Sequence, residues 1–281
     1  AEEGYFKELD VALACIRRTI TAAGEVCHKA MDSIRFRFHG RSAHASVCPE
    51  MGRSALDGAE MMSVGANYLR EHVPDGVRIH YSYLSAGEKP NVVPDFAEVW
   101  YFVRSNRRRI VDQVTERLIQ VARGAAMMSG TEVEWEFLAR GNSTRINTTL
   151  ADLAYGCMGR VPLPRWEEPE LRLAAGLGES LGLPGTICGE LTPPEGRELA
   201  GSGSTDFSAV SQTVPSVEIN TVCFTRGTPG HHWAVTAQSC SPIGRKGMLY
   251  AAGVLAEMGK ALLEDPGLLS RAREEYLARA E

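Results

Sequence analysis

The chain has 281 residues, 44% hydrophobic and 23% charged, proportions that exclude a disordered chain. Thirty Lys and Arg against thirty-five Asp and Glu leave a net charge of -5, which argues against a general nucleic-acid binder with a basic face. No apolar run approaches about eighteen residues, so no membrane-spanning helix is expected. The acidic start, Ala1-Glu2-Glu3-Gly4, lacks the basic and apolar regions of a signal peptide. The seven cysteines are scattered and form no CxxC, which points to a reducing cytoplasm.

In chain order, residues 1–32 hold a short apolar run, Val11 to Ile16. Ile34, Phe36 and Phe38 then alternate with Arg35, Arg37 and His39, the period of a strand with one buried face. Leu56, Ala59, Met62, Ala66 and Leu69 follow at helical spacing. Val77, Ile79, Tyr81 and Tyr83 mark a second strand. A loop with Gly87, Pro90, Asn91 and Pro94 leads to a third, on Val99, Tyr101 and Val103. Asn106 is the expected N-cap of a second helix carrying Val111, Val114, Leu118, Val121 and Ala125, and Gly130 ends it. Val133, Trp135 and Phe137 form the fourth strand. The order β-α-β-β-α-β is a ferredoxin-like α+β arrangement: four strands with two helices on one face. Met61-Met62 and Met127-Met128 read as core filler, and Arg107-Arg108-Arg109 as a solvated face. Residues 148–181 read as helical, interrupted by prolines, and 184–205 as a long loop. A strand is expected over Val217–Phe224. A helix opens at Pro242 after Ser241, and a charged terminal helix covers Leu268–Ala280. The flanks hold too few strands to read as a free-standing domain.

Three clusters could carry chemistry. Gly40-Arg41-Ser42-Ala43-His44-Ala45 puts a histidine in a small-residue turn, where it could donate to a ligand oxygen or be an ordinary exposed turn residue. Asn91, with Arg104 on the next strand, could converge on a carboxylate, or could cap a turn beside a solvated arginine. Gly203-Ser204-Thr205-Asp206 could cradle an oxyanion. Gly230-His231-His232-Trp233 offers one metal ligand or a structural pair, with no HxH, HxxxH or HExxH to complete a set.

In order, Phe36 to Ala45, Gly52-Arg53-Ser54-Ala55-Leu56-Asp57, Pro90 to Pro94, Gly203 to Asp206, Gly227 to Trp233 and Lys246-Gly247-Met248 resemble the zinc-dependent aminoacylase/carboxypeptidase family (clan MH amidohydrolases). The likeness runs from about Gly4 to Leu263. It implies an α/β fold: part of a metallopeptidase-type catalytic domain (1–32 and 141–281) with an inserted lid and dimerisation domain (33–140). It implies a hydrolase that cleaves N-acyl or N-aroyl amino acids such as acyl-glutamates with a divalent metal, zinc, and no organic cofactor. By the same resemblance His44 polarises the scissile carbonyl in the partner's site and Asn91, Arg104, Ser204 and Thr205 hold the substrate carboxylate. His231 is a metal ligand, and the lid makes a homodimer. The family's His-Pro is replaced by Cys15-Ile16-Arg17, its first metal motif is absent, and Glu2-Glu3 reads as coincidence. The metal site is therefore expected to be incomplete in this chain. The alternative is a non-catalytic, dimerising or ligand-binding relative.

Overall fold

The computed structural model describes residues 3–24, 26–194, 199–201 and 203–279. The main described elements are β1 (Ala12–Arg18), β2 (Ala30–His39), α1 (Ala55–Leu69), β3 (Arg78–Ser85), β4 (Phe96–Ser105), α2 (Arg108–Ser129), β5 (Glu132–Gly141), α3 (Thr148–Arg160), α4 (Glu168–Leu181), β6 (Ser216–Val222), α5 (Trp233–Ser239), α6 (Pro242–Glu264) and α7 (Pro266–Ala278). They form two compact units. One comprises 27–144 and 200–209; the other comprises 1–26, 145–199 and 210–281.

In the first unit the sheet order is β3-β4-β2-β5, all antiparallel. This is the ferredoxin-like order expected from the alternation. Its helix-facing side holds Ile34, Phe36, Phe38, Val99, Tyr101 and Val103, each fully buried. Each such side chain contributes about 1.5–3 kcal/mol through burial. Phe36 and Tyr101 meet edge to face at 5.7 Å. Ala59, Met62 and Ala66 of α1 and Val111, Val114 and Leu118 of α2 close this core.

The N-terminus of α2 departs from expectation. Its cap is Arg107, with no side-chain cap bond, and the Asn106 Oδ1 is buried without a hydrogen bond. Arg108, expected to be solvated, is drawn down onto fully buried Asp32 at 2.8 Å. That ion pair, rather than an Asn side chain, fixes where the helix starts. Met62 is core, but Met61, Met127 and Met128 are exposed, because they point away from the sheet.

In the second unit β1 and β6 pair in parallel, and the two-residue strands Thr21–Ala22 and Leu191–Thr192 complete a four-stranded sheet. The flanks thus make a sheet of their own. Strands of two residues carry no readable alternation, which is why 184–205 reads as loop alone. Leu150, Met158, Ile219, Val254 and Met258 form the core. Helix α6 lies so close to β6 that a Cβ on Gly247 would meet the Val222 carbonyl oxygen at 2.1 Å. Ser241 caps α6 as expected, its hydroxyl accepting from the Gly244 N–H. The terminal helix starts at Pro266 under an Asp265 cap, and Ala280 lies outside the described residues.

Candidate functional site

The turn carrying His44 is fixed by two other loops. Arg41 and Arg53 exchange backbone hydrogen bonds of 2.8 and 2.9 Å. A Cβ on Gly40 would meet the Arg53 carbonyl oxygen at 2.0 Å, so this close approach needs glycine. On its other side the Ala45 N–H donates to the Asn91 carbonyl and the Val93 N–H to the Ala43 carbonyl. His44 and Asn91 are therefore neighbours, both exposed, beyond the end of the sheet where His39 pairs with Phe96. The His44 Nδ1 accepts from the Ser46 N–H at 3.3 Å. In the neutral ring this leaves the proton on Nε2 as a donor.

Arg104 sits at the opposite end of the same sheet, where it pairs with Met31 of β2 and Arg78 of β3. From Phe96 to Arg104 the strand climbs roughly 27 Å at the antiparallel rise. Asn91 and Arg104 therefore do not converge within one chain. The Arg104 Nε is buried without a hydrogen bond, its guanidinium lies 5.1 Å from the Phe102 ring centre, and burial pulls its pKa down.

Ser204 and Thr205 join the Arg104 end of the sheet. Residues 200–209 belong to the same unit as Arg104, although sequence alone assigns them to the C-terminal segment. The Lys29 N–H donates to the Gly203 carbonyl at 2.7 Å and the Gly201 N–H to the Cys27 carbonyl at 2.8 Å, tying the loop to the start of β2. The Ser204 Oγ is buried without a partner. The Thr205 Oγ1 instead accepts from the Phe207 N–H at 3.3 Å and so closes a turn. Of the two hydroxyls, Ser204 is the one available to a ligand.

His231 belongs to the other unit. It borders a cavity of about 720 Å³ also lined by Arg17, Arg18, Phe224, Thr228 and Trp233. The two histidines differ. The His232 Nδ1 accepts from the Ala234 N–H and caps α5, whereas His231 is exposed and holds φ of +56°, a strained backbone for a side chain of its size. Fully buried Gln238, which sequence reasoning missed, sets this loop. Its Oε1 accepts from the Thr225 N–H at 2.8 Å, while its Nε2 donates to Thr228 Oγ1 and the Ala234 carbonyl.

Among the described residues the donor set does not complete a metal centre. Among the described residues no three of His, Cys, Asp and Glu are grouped to hold an ion. Cys15 shares a hydrogen bond of 3.4 Å with Thr221 Oγ1, and burial pushes its thiol pKa up, away from the thiolate a metal needs. Glu3 is exposed and Glu2 lies outside the described residues. Among the described residues no group of ligands forms around His231.

Among known protein families, a model of the peptidase dimerisation domain matches residues 26–127. The chain is 31% identical to a p-aminobenzoyl-glutamate hydrolase subunit of Escherichia coli K12, over 98% of this chain and 63% of that protein. It is 26% identical to Xaa-Arg dipeptidase of Mus musculus, over 100% of this chain and 59% of that protein. The chain thus spans about six tenths of the length of these curated relatives. Among solved structures it is similar to an aminobenzoyl-glutamate utilization protein from Klebsiella pneumoniae, with TM-score 0.54 and 18% identity, over 88% of this chain and 53% of that one. It is also similar to a putative aminohydrolase from methicillin-resistant Staphylococcus aureus, with TM-score 0.59 and 13% identity, over 91% of this chain and 61% of that one. At these identities the structural likeness shows a shared fold. No helix among the described residues is long and apolar enough to cross a membrane.

Proposed function

We propose, for a chain that carries a peptidase dimerisation domain, that it is the dimerising and substrate-holding part of an amidohydrolase acting on N-acyl or N-aroyl amino acids, aminobenzoyl-glutamate among them. One observation carries this reading. The Nε2–H donor of exposed His44, beside Asn91, sits at one end of the sheet, and the unpartnered Arg104 Nε and Ser204 Oγ sit at the other. These are the parts of one acyl-amino-acid site, split along a single strand length. They can meet one substrate only if they come from two protomers.

The edges of the sheet support such an assembly. The outer strand β5 presents Glu132, Glu134 and Glu136, charges that oppose pairing with a copy of itself. The other edge, β3, carries exposed Tyr81 and Leu84 and adjoins α1, whose Val64 and Tyr68 are also exposed. A two-fold axis pairs identical edge strands antiparallel. The Ser85 end of one protomer then lies beside the Arg78 end of its mate. This brings one protomer's His44 and Asn91 alongside the partner's copy of the Arg104 end. An interface on the order of 1,000–2,000 Å² is expected.

In the composite site Arg104 and Ser204 receive the substrate carboxylate together with Asn91 contributed across the dimer. The His44 Nε2–H donates to the scissile carbonyl oxygen and stabilises the charge that develops there. A donor of this kind contributes roughly 3–4 kcal/mol to the barrier. The family resemblance implies zinc as the Lewis acid, and His231 would be one ligand. The described residues do not complete its set, so no step of the reaction is assigned to it. A second reading, a non-catalytic dimeric binder, is favoured specifically by Cys15, which is engaged with Thr221. We place the protein in the cytoplasm, a compartment that suits its seven scattered cysteines.

The deciding experiment is glutamate release from p-aminobenzoyl-glutamate by the purified chain with zinc added. Release that falls with His44→Ala supports the hydrolase. Binding without release supports the second reading, and neither binding nor release refutes both.

A further inference from the structure

We infer that the cavity at the carboxyl ends of β1 and β6, in the second unit, is a site for a phosphate monoester with an aromatic body, its anion held by Arg17 and Arg18. This goes beyond the acyl-amino-acid reading, whose substrate-holding groups all belong to the first unit.

The place of the cavity follows from the sheet. β1 and β6 run parallel and end together, with Arg18 opposite Val222. The Cys223 and Phe224 N–H groups both donate to the Arg18 carbonyl, at 2.8 and 3.2 Å, so the end of β1 and the loop after β6 are held side by side. In open parallel sheets ligands sit in the crevice beyond the carboxyl ends of the strands. The cavity of about 720 Å³ lies there, and its size is that of a site for a small organic molecule rather than for a bare ion. Consecutive strand residues point to opposite faces. Arg17 and Arg18 nevertheless both border the cavity, because it lies past the strand end and not over one face.

The charge of the lining has one sign. Arg17, Arg18, His231 and His232 border the cavity, and among the described residues no Asp or Glu does. Arg17 donates to the Ser239 hydroxyl at 3.2 Å and Arg18 to the Asn220 side-chain oxygen at 3.4 Å, both neutral acceptors. Two guanidinium charges oppose the divalent cation that the resemblance implies beside His231. Cys15, which stands where the family has its His-Pro, is not among the lining residues. Each arginine keeps most of its planar fork of N–H donors free for a ligand. A carboxylate, with two oxygens and one charge, fills a single fork. A phosphate monoester brings three acceptor oxygens and nearly two charges at pH 7, and so engages both. The rest of the wall is aromatic. Phe224 is 7% exposed and Trp233 is 55% exposed, which leaves ring surface for an aromatic body to pack on. The backbone gives a separate pointer: His231, on the rim, holds a φ of +56°, and strain of this kind gathers at ligand sites.

The test is calorimetric titration of the full chain with phenyl phosphate, benzoate and inorganic phosphate. Phenyl phosphate should bind at one per chain and at least about tenfold more tightly than the other two. Benzoate leaves one fork empty, and inorganic phosphate leaves the aromatic wall bare. Arg17→Met and Arg18→Met, both at exposed positions, should each weaken phenyl phosphate by about tenfold or more with circular dichroism unchanged. Arg172→Met removes the same charge from an exposed position on α4 of the same unit and should change the affinity by less than about twofold. Absence of phenyl phosphate binding at millimolar concentration would overturn the inference. So would benzoate or inorganic phosphate binding as tightly, or equal losses from Arg172→Met and Arg17→Met. Zinc bound at one per chain and lost in His231→Ala would overturn it too, because the cavity would then be a metal centre.

Discussion

Replacing Asp32 by alanine should loosen the attachment of α2 to the sheet of the first unit. Its carboxylate is fully buried and receives Arg108 at 2.8 Å, Arg140 at 3.2 Å and the Thr115 hydroxyl at 2.9 Å. Breaking a buried ion pair from one side costs about 3–5 kcal/mol. Here the lower end applies. Both arginines keep Asp112, at 2.8 and 2.6 Å, and the Arg140 side chain is 51% exposed, so neither cation is stranded. Thr115, buried on α2, is left with no acceptor for its hydroxyl proton from that side chain. A loss of about 3 kcal/mol, with a urea slope of about 1.5 kcal/mol/M, moves the midpoint down by about 2 M. The assay is tryptophan fluorescence during urea unfolding, with Trp166→Phe and Trp233→Phe as background, so that only Trp100 and Trp135 of this unit report. Asp32→Asn, which keeps one acceptor, should lose about half as much. A shift below about 0.3 M for the alanine variant would refute the view that this ion pair anchors α2 to the sheet.

Two further outcomes are expected. Burial pushes the Glu275 carboxyl up, but the Thr148 and Thr149 hydroxyls and backbone N–H groups, at 2.6–2.8 Å, outweigh it and hold its pKa below the ordinary value. A lowered folded pKa stabilises fully above the unfolded value and is lost as pH falls through the folded one. Glu275→Gln should therefore cost about 2 kcal/mol at pH 7, and the gap should close in acid below about pH 4, as read by denaturant midpoints at each pH. Tyr68→Glu combined with Leu84→Lys places charge on two exposed residues, 71% and 46% accessible, of the proposed interface. Light scattering should show half the mass of the unaltered protein with the same circular dichroism; an unchanged mass would refute the β3 interface.

The sheet of the first unit was legible because Ile34, Phe36 and Phe38 alternate with Arg35, Arg37 and His39, and Val133 and Trp135 with Glu132, Glu134 and Glu136, while the two middle strands place β-branched and aromatic residues at every second position. Ile34, Phe36 and Phe38 are buried as that period requires. Gly130 ends α2 with φ of +65°, as its place after the apolar stripe predicts. The start of α2 was not legible. Arg108 is recruited by Asp32, a residue far off in sequence, and no local pattern encodes that partnership. The short clusters around His44, Asn91 and Ser204 mark the proposed site residues, but their spacing along the chain hides that two of them lie at one end of a sheet and one at the other. His231 and His232 are indistinguishable in sequence and are told apart only by the fold, in which His232 caps α5 and His231 holds a φ of +56°.

The claim that each site takes Asn91 from one protomer and Arg104 from the other is tested most directly by mixing two variants. Asn91→Ala and Arg104→Ala homodimers should each bind N-acetyl-glutamate poorly, since every site lacks one contact. After subunit exchange about half the dimers are mixed, and each mixed dimer regains one intact site. Calorimetry of the mixture should then recover about one quarter of the unaltered protein's binding stoichiometry. Recovery near that value is the predicted result. No recovery, with exchange verified by mass spectrometry, would contradict a site shared between two subunits.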